Sequence, residues 1–129
     1  MVKRKIILVE KVIYLRNALK NMLLSIGNVD IIAEVSDGKE FLELLETNQT
    51  DIAFIDVQLP TSESIEITKK AIIKNPQIAV IGFSSLDKQC YIDQFIFGGA
   101  KGYLSKSKNN YNVLSEIIKN PGGGNFFSE

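Results

Sequence analysis

The stretch Asp51-Ile-Ala-Phe-Ile-Asp-Val-Gln-Leu-Pro60 places a short apolar run directly before a carboxylate, Asp56, and a proline follows soon after it. The run Asp51–Ile55 is rich in Ile and Phe and lacks strict polar alternation, which is typical of a strand covered on both faces. We therefore predict a buried parallel strand here, with Asp56 at its carboxyl end.

Four further apolar runs recur outward from this stretch, and each run is followed by apolar residues at helical spacing, such as Leu15, Leu19 and Leu23 after the first. Alternating strands and helices imply parallel strands joined by right-handed crossovers. The sequence thus predicts an α/β fold with a doubly wound sheet. The four further runs are Lys5–Val9, Asp30–Val35, Ile78–Phe83 and Gly102–Leu104.

The chain of 129 residues is long enough to form one domain that buries a hydrophobic core. We predict that residues 1–120 form this domain. The segment Pro121-Gly-Gly-Gly124 indicates that a helix has stopped, so residues 121–129 are predicted to be a flexible linker or C-terminal tail.

Composition excludes several classes of protein. Fifteen basic residues balance fifteen acidic ones, so no electrostatic footprint for nucleic acid is expected. With no histidine and a single cysteine, Cys90, neither a zinc site nor an internal disulfide is expected. No apolar stretch is long enough to cross a bilayer and no signal peptide opens the chain, so we expect a cytoplasmic protein.

Polar side chains follow the predicted strands. In doubly wound sheets, ligands bind beyond the carboxyl ends of the strands. Those positions hold Glu10 and Lys11, Asp56, Ser84 and Lys106. Two acids, a hydroxyl and two amines at one edge predict a site that handles an anion.

The loop after the first strand, Glu10-Lys-Val-Ile-Tyr-Leu15, excludes three common kinds of nucleotide-binding site. A dinucleotide fold needs G-x-G-x-x-G there, and a nucleoside triphosphatase needs G-x-x-x-x-G-K-[ST]. A flavodoxin-like flavin site would need a phosphate loop rich in serine, threonine and glycine. None of these loops is present after the first strand.

Three motifs together resemble the receiver domains of bacterial response regulators. They are Ile55-Asp-Val-Gln-Leu-Pro60, Val80-Ile-Gly-Phe-Ser-Ser85 and Gly99-Ala-Lys-Gly-Tyr-Leu-Ser-Lys106. The resemblance implies a five-stranded parallel sheet in the flavodoxin-like order 2-1-3-4-5. It also implies five helices, with helices one and five on one face and helices two, three and four on the other.

The last of these motifs and Gly122-Gly-Gly-Asn-Phe-Phe-Ser128 resemble most the subfamily in which a LuxR-type DNA-binding domain follows the receiver. This resemblance implies control of transcription. It also implies that DNA is contacted only through a further domain, which the chain does not contain, so we expect the chain to be a piece of such a regulator.

The resemblance assigns roles to four residues. Asp56 would accept phosphate from a sensor histidine kinase as an aspartyl phosphate. Ser84 would donate a hydrogen bond to one phosphoryl oxygen, and Lys106 would pair with another. Tyr103 would be the aromatic switch that moves inward and changes a protein-interaction surface.

The resemblance also implies a Mg²⁺ site, formed by Glu10, Asp56 and the backbone carbonyl of Gln58. The family normally has two adjacent acids after the first strand, whereas this chain has Glu10-Lys11. The ammonium of Lys11 predicts weak or no Mg²⁺ binding, and it would partly replace the metal as a counter-charge. Ser64 stands where the family usually has glycine.

Two functions therefore stay open. The chain is either a phospho-accepting switch, or a pseudo-receiver that binds other proteins and is not phosphorylated. In neither case is it a classical enzyme, since at most it catalyses phosphotransfer to, and hydrolysis from, its own Asp56. The partners that the resemblance implies are a sensor histidine kinase and a second copy in a homodimer.

Overall fold

The structure is a computed structural model, and it describes residues 3–58 and 60–128. None of the helices in these two ranges is long and apolar enough to cross a membrane. Strands and helices alternate along the chain, as the apolar runs predict. The elements are β1 Arg4–Val9, α1 Ile13–Ile26, β2 Val29–Val35, α2 Gly38–Leu45, β3 Ile52–Asp56, α3 Thr61–Lys74, β4 Ala79–Ser84, α4 Gln89–Phe97, β5 Gly102–Ser105, α5 Tyr111–Lys119 and β6 Phe126–Phe127.

The strands form one sheet in the order β2-β1-β3-β4-β5-β6, and all neighbouring strands are parallel. The predicted doubly wound sheet and its order 2-1-3-4-5 are thus confirmed. The short strand β6 was not predicted: it lies in the segment expected to be a flexible linker. It forms because the chain turns back after Pro121-Gly-Gly-Gly124, so that Phe126 pairs with Gly102 at the edge of the sheet.

Each face of the sheet is covered by its own hydrophobic cluster. Along β1, Ile6 and Leu8 face the cluster that includes α1 and α5, while Ile7 and Val9 face the cluster that includes α2, α3 and α4. Contacts link α1 to α5, α2 to α3, and α3 to α4, which confirms the predicted division of the helices. Both faces are buried, and this explains why the strands read as continuous apolar runs.

Candidate functional site

The carboxyl ends of β1, β3, β4 and β5 lie at one edge of the sheet because these strands are parallel. Asp56 is the last residue of β3, and Ser84 is the last residue of β4. Glu10 directly follows β1, and Lys106 directly follows β5. The fold thus brings four of the predicted site residues to this edge.

Lys106 lies between the two carboxylates of the site. Its Nζ is 2.6 Å from Asp56 Oδ1 and 2.7 Å from Glu10 Oε1. The contact with Asp56 is a hydrogen bond, whereas the contact with Glu10 lacks hydrogen-bond geometry and is an ion pair only. The ammonium also lies 5.6 Å from the centroid of the Phe83 ring, within the range of a cation–π contact.

Burial and charge act against each other at this pair. Burial raises the pKa of Glu10, and the nearby ammonium of Lys106 and the Val12 N–H offset only part of that rise. For Lys106, burial alone would lower the pKa, but the interactions with Asp56 and Glu10 outweigh it, so the pKa is raised. Lys106 therefore stays charged at neutral pH, as a counter-ion to an anion at Asp56 must.

The second oxygen of Asp56 is also engaged. The side-chain amide of Gln58 donates a hydrogen bond of 2.7 Å to Asp56 Oδ2. Sequence reasoning assigned a role to the backbone carbonyl of Gln58 and overlooked its side chain. The signal available was the amide two residues beyond Asp56, but its reach back to the carboxylate depends on the loop geometry.

Ser84 and Tyr103 converge on the loop that follows β4. The Ser84 hydroxyl is buried; it donates to the Val57 carbonyl at 2.7 Å and accepts from the Leu86 N–H at 2.9 Å. The Tyr103 hydroxyl donates to the Leu86 carbonyl at 2.6 Å. Tyr103 as a whole residue is 3% exposed, so its side chain already points inward, and burial raises the pKa of its hydroxyl.

Lys11 lies beside Asp56 without pairing to it. A cleft of about 160 Å³ opens along this edge, with Lys11, Ser36, Gln58 and Ser64 among its lining residues. The side chain of Lys11 is exposed, and within residues 3–58 and 60–128 it forms no ion pair. The counter-charge of Asp56 in this state is thus Lys106, and Lys11 is a second cationic residue along the cleft.

The donor set of the site does not fit Mg²⁺ as arranged. Both oxygens of Asp56 accept hydrogen bonds, and Glu10 is tied to Lys106 by Oε1 and to the Val12 N–H by Oε2 at 3.2 Å. Among the residues that the structure describes, no three acidic, cysteine or histidine side chains are grouped to hold a metal. Octahedral Mg²⁺ needs free oxygens, and here they face ammonium and amide groups instead.

Residues 6–118 match the family described as the response regulator receiver domain. The chain belongs to this family. Its resemblance to receivers, first drawn from three short motifs, is thus confirmed. Of those motifs, Leu59 lies outside the described residues.

Known relatives of this receiver domain include regulators of two sizes. The chain is 26% identical over 117 residues to the transcriptional regulatory protein DegU of Brevibacillus brevis, covering 91% of this chain and 49% of that protein. It is 24% identical to the chemotaxis protein CheY of Listeria monocytogenes, covering 89% of this chain and 96% of CheY. The chain spans about half the length of the first curated relatives that it matches.

Solved structures share the fold. A two-component response regulator of the LuxR family from Aurantimonas sp. SI85-9A1 superposes with a TM-score of 0.83 at 21% identity, covering 95% of this chain and 89% of that chain. Receiver domains of response regulators interact with histidine kinases and generally bind Mg²⁺ at their acidic site. Related regulators bind DNA through other domains. In this chain Lys11 follows Glu10 at the corresponding end of the first strand.

Proposed function

We propose that this receiver domain is a signalling switch in which Asp56 accepts a phosphoryl group from a histidine kinase. The observation that carries the proposal is the hydrogen bond of 2.6 Å between Lys106 Nζ and Asp56 Oδ1, at the strand edge where ligands of such sheets bind. A cation held beside Asp56 would balance the negative charge of a transferred phosphoryl group.

The proposed reaction makes one bond and breaks one. An oxygen of Asp56 attacks the phosphorus of a phosphohistidine, while the bond from phosphorus to the imidazole nitrogen breaks. The electron pair of that bond stays on the imidazole, which takes up a proton. Asp56 Oδ2 becomes available for attack when the Gln58 amide turns away, and Lys106 remains as the counter-charge of the aspartyl phosphate.

Lys11 supports a version of this chemistry with weak metal dependence. Lys11 is among the residues that line the cleft with Asp56, and its ammonium would attract the phosphoryl oxygens as a second cation. The same charge repels a divalent ion. We therefore propose that Mg²⁺, if held by Glu10, Asp56 and the Gln58 carbonyl, binds weakly.

A second candidate function is a pseudo-receiver that binds partner proteins without being phosphorylated. It is favoured by one observation: every carboxylate oxygen of Asp56 and Glu10 is already engaged by a donor or cation of this chain. In that case the site would be a structural ion-pair cluster. The partner surface would then be constant.

The output proposed for the switch is transcription, through a further domain such as those that related regulators carry. Phosphorylation would change a surface of the receiver near Ser84 and Tyr103, because both bond to the loop at Leu86. That change would alter a homodimer or a partner complex in the cytoplasm. Catalysis by the chain would be limited to transfer to Asp56 and hydrolysis from it.

Incubation with acetyl phosphate, with and without Mg²⁺, tests the proposal. Intact-mass spectrometry should show one added phosphoryl group on the natural chain and on Asp30→Asn, an exposed aspartate far from this edge. Asp56→Asn should show none. Phosphorylation of Asp56→Asn to the same extent would refute the assignment, and an unmodified natural chain under all conditions would favour the pseudo-receiver.

A further inference from the structure

The outer edge of β5 is occupied by the C-terminal segment of the same chain. Phe126 pairs with Gly102 and Phe127 with Tyr103, and the Phe126 N–H donates a hydrogen bond of 2.8 Å to the Lys101 carbonyl. Phe126 is only 9% exposed, and it belongs to the hydrophobic cluster beneath α1 and α5. A segment of two strand residues is therefore anchored by both backbone pairing and side-chain burial.

Gly102 makes room for this segment. A Cβ at position 102 would lie 2.5 Å from the Phe126 carbonyl oxygen and 2.9 Å from Phe126 Cβ, and the three nearest atoms all belong to Phe126. The backbone of Gly102 is not in the left-handed region that favours glycine, so an L side chain suits the strand itself. Within this structure, the missing side chain serves to admit the tail.

Ser128 closes a ring of hydrogen bonds around Ser105. The Ser105 N–H donates to Ser128 Oγ at 2.8 Å, and that hydroxyl donates to Asn110 Oδ1 at 2.5 Å. The amide of Asn110 then donates to the Ser105 carbonyl at 2.9 Å. Ser128 thus bonds directly to the N–H of Ser105 and reaches the Ser105 carbonyl only through Asn110.

One peptide group, between Ser105 and Lys106, links this ring of hydrogen bonds to the site at Asp56. The carbonyl of Ser105 and the N–H of Lys106 belong to the same peptide group. Its oxygen accepts from Asn110, and its N–H donates to the Ser84 carbonyl at 2.9 Å. Because the peptide group is planar, movement of the Lys106 backbone must move the carbonyl that the Asn110–Ser128 pair holds.

We propose that the edge of β5 is a binding site for an extended peptide segment, occupied here by residues 126–128 of the chain itself, and that this binding is linked to the Asp56–Lys106 pair. The proposal rests on the proposed function only in that phosphoryl transfer would alter this pair. The linkage itself is a property of the unmodified chain. A docked tail holds the backbone before Lys106, and release of Lys106 from Asp56 loosens the tail.

Such linkage is reciprocal. If tail docking favours one position of Lys106, then any change that displaces Lys106 must shift tail docking by the same factor. The tail also covers backbone groups of β5 that would otherwise form an open sheet edge, where other chains can pair. The state of Asp56 would therefore be transmitted to the segment that leaves the domain.

Amide hydrogen exchange of the whole chain, resolved by NMR, tests the docking. In Gly102→Ala the N–H groups of Ser105 and Phe126 should exchange at least roughly tenfold faster, because local opening replaces a stable strand pair. Gly122→Ala is the matched control, since a Cβ there has nothing within 4 Å. Phe126→Ala offers a second route to undocking that leaves β5 unchanged. Exchange that stays at the natural rate in both Gly102→Ala and Phe126→Ala would overturn the binding site.

The linkage is tested in Asp56→Asn and in Lys106→Met, neither of which requires a phosphodonor. Exchange at the same two N–H groups should rise by about fivefold, the lower range of typical site-to-site coupling. Unchanged exchange in both variants would overturn the linkage, even if Asp56 proved to be the phosphoacceptor. Failure of acetyl phosphate to modify the chain would leave this result standing, so the two proposals fail separately.

Discussion

At the scale of single residues, Lys106 separates two carboxylates that would otherwise face each other. Its side chain is 11% exposed, and those of Asp56 and Glu10 are 9% and 3% exposed. Removing one partner of such a cluster leaves charge uncompensated, which costs more than the intact cluster contributes.

We expect Lys106→Met to lower the free energy of unfolding by about 2–4 kcal/mol at neutral pH, toward the lower end because the cluster lies at an edge of the fold. Lys108→Met, an exposed neighbour, is the control and should change little. Urea denaturation measures both. A loss below about 0.5 kcal/mol in Lys106→Met, the usual range for surface substitutions, would contradict the electrostatic account.

The same variant gives a pH prediction. Because the folded-state pKa of Lys106 is raised, its contribution is complete below the ordinary lysine value of about 10.4 and is lost as the pH rises through the raised value. The stability difference between the natural chain and Lys106→Met should therefore be constant from about pH 7 to 9 and shrink above about pH 10.4. Urea denaturation across this range checks it, and a difference that widens at high pH would be inconsistent with the pair.

The charge of Lys11 should weaken Mg²⁺ binding at the site. Two unit charges ~5 Å apart interact by roughly 3 kcal/mol at an effective dielectric near 20, comparable with the binding energy of a millimolar site, about 4 kcal/mol. Lys11→Asp should thus strengthen Mg²⁺ binding by tenfold or more, and Lys69→Asp, the same charge change at an exposed site on α3, should not. Titration calorimetry measures the affinity. Equal sub-millimolar affinity in the natural chain and in Lys11→Asp would show that Lys11 does not guard the site.

Among the secondary-structure elements, β4 has a glycine, Gly82, where side chains of α4 and β5 pack against each other. A Cβ at Gly82 would lie 2.9 Å from Phe95 Cε2 and 3.0 Å from Tyr103 Cδ2. The two rings pack edge to face, with centroids 5.9 Å apart and planes at 75°. This contact keeps Tyr103 inward, where its hydroxyl reaches Leu86.

Gly82→Ala should therefore overpack the space between β4, α4 and β5, and lower the free energy of unfolding by about 1–3 kcal/mol. Gly122→Ala, with open space around its Cβ, serves as the control. The ring resonances of Phe95 and Tyr103 in NMR spectra should shift in Gly82→Ala alone. Unaltered stability and unaltered resonances would mean that the rings do not need this glycine.

At the scale of the whole molecule, the apolar runs predicted the alternation of elements because both faces of the sheet are buried. The run Asp51–Ile55 corresponds to β3 Ile52–Asp56, shifted by one residue. The strand order came from the resemblance, since alternation alone cannot order parallel strands. Strand β6 was missed because two phenylalanines after a glycine run have no periodicity, and their pairing depends on where β5 lies.

The sequence predicted where the site residues lie in the fold, but only some of their side-chain contacts. Parallel strands bring their carboxyl ends together, so Glu10, Asp56 and Lys106 were expected at one edge, where Lys106 Nζ lies 2.6 Å from Asp56 Oδ1. The second ion pair, to Glu10, and the amide of Gln58 were not foreseen. Both depend on side-chain rotamers that only the assembled edge selects. The roles of these residues in phosphoryl transfer stay predictions.

The position of the phosphoryl group in the sequence decides whether Asp56 is the phosphoacceptor. After incubation with a phosphorylated histidine kinase or acetyl phosphate, borohydride reduction converts an aspartyl phosphate into homoserine, which peptide mass spectrometry then places in the sequence. We predict homoserine at position 56 in the natural chain and in Asp30→Asn. Homoserine at any other aspartate, or at none after treatment with either donor, would contradict it.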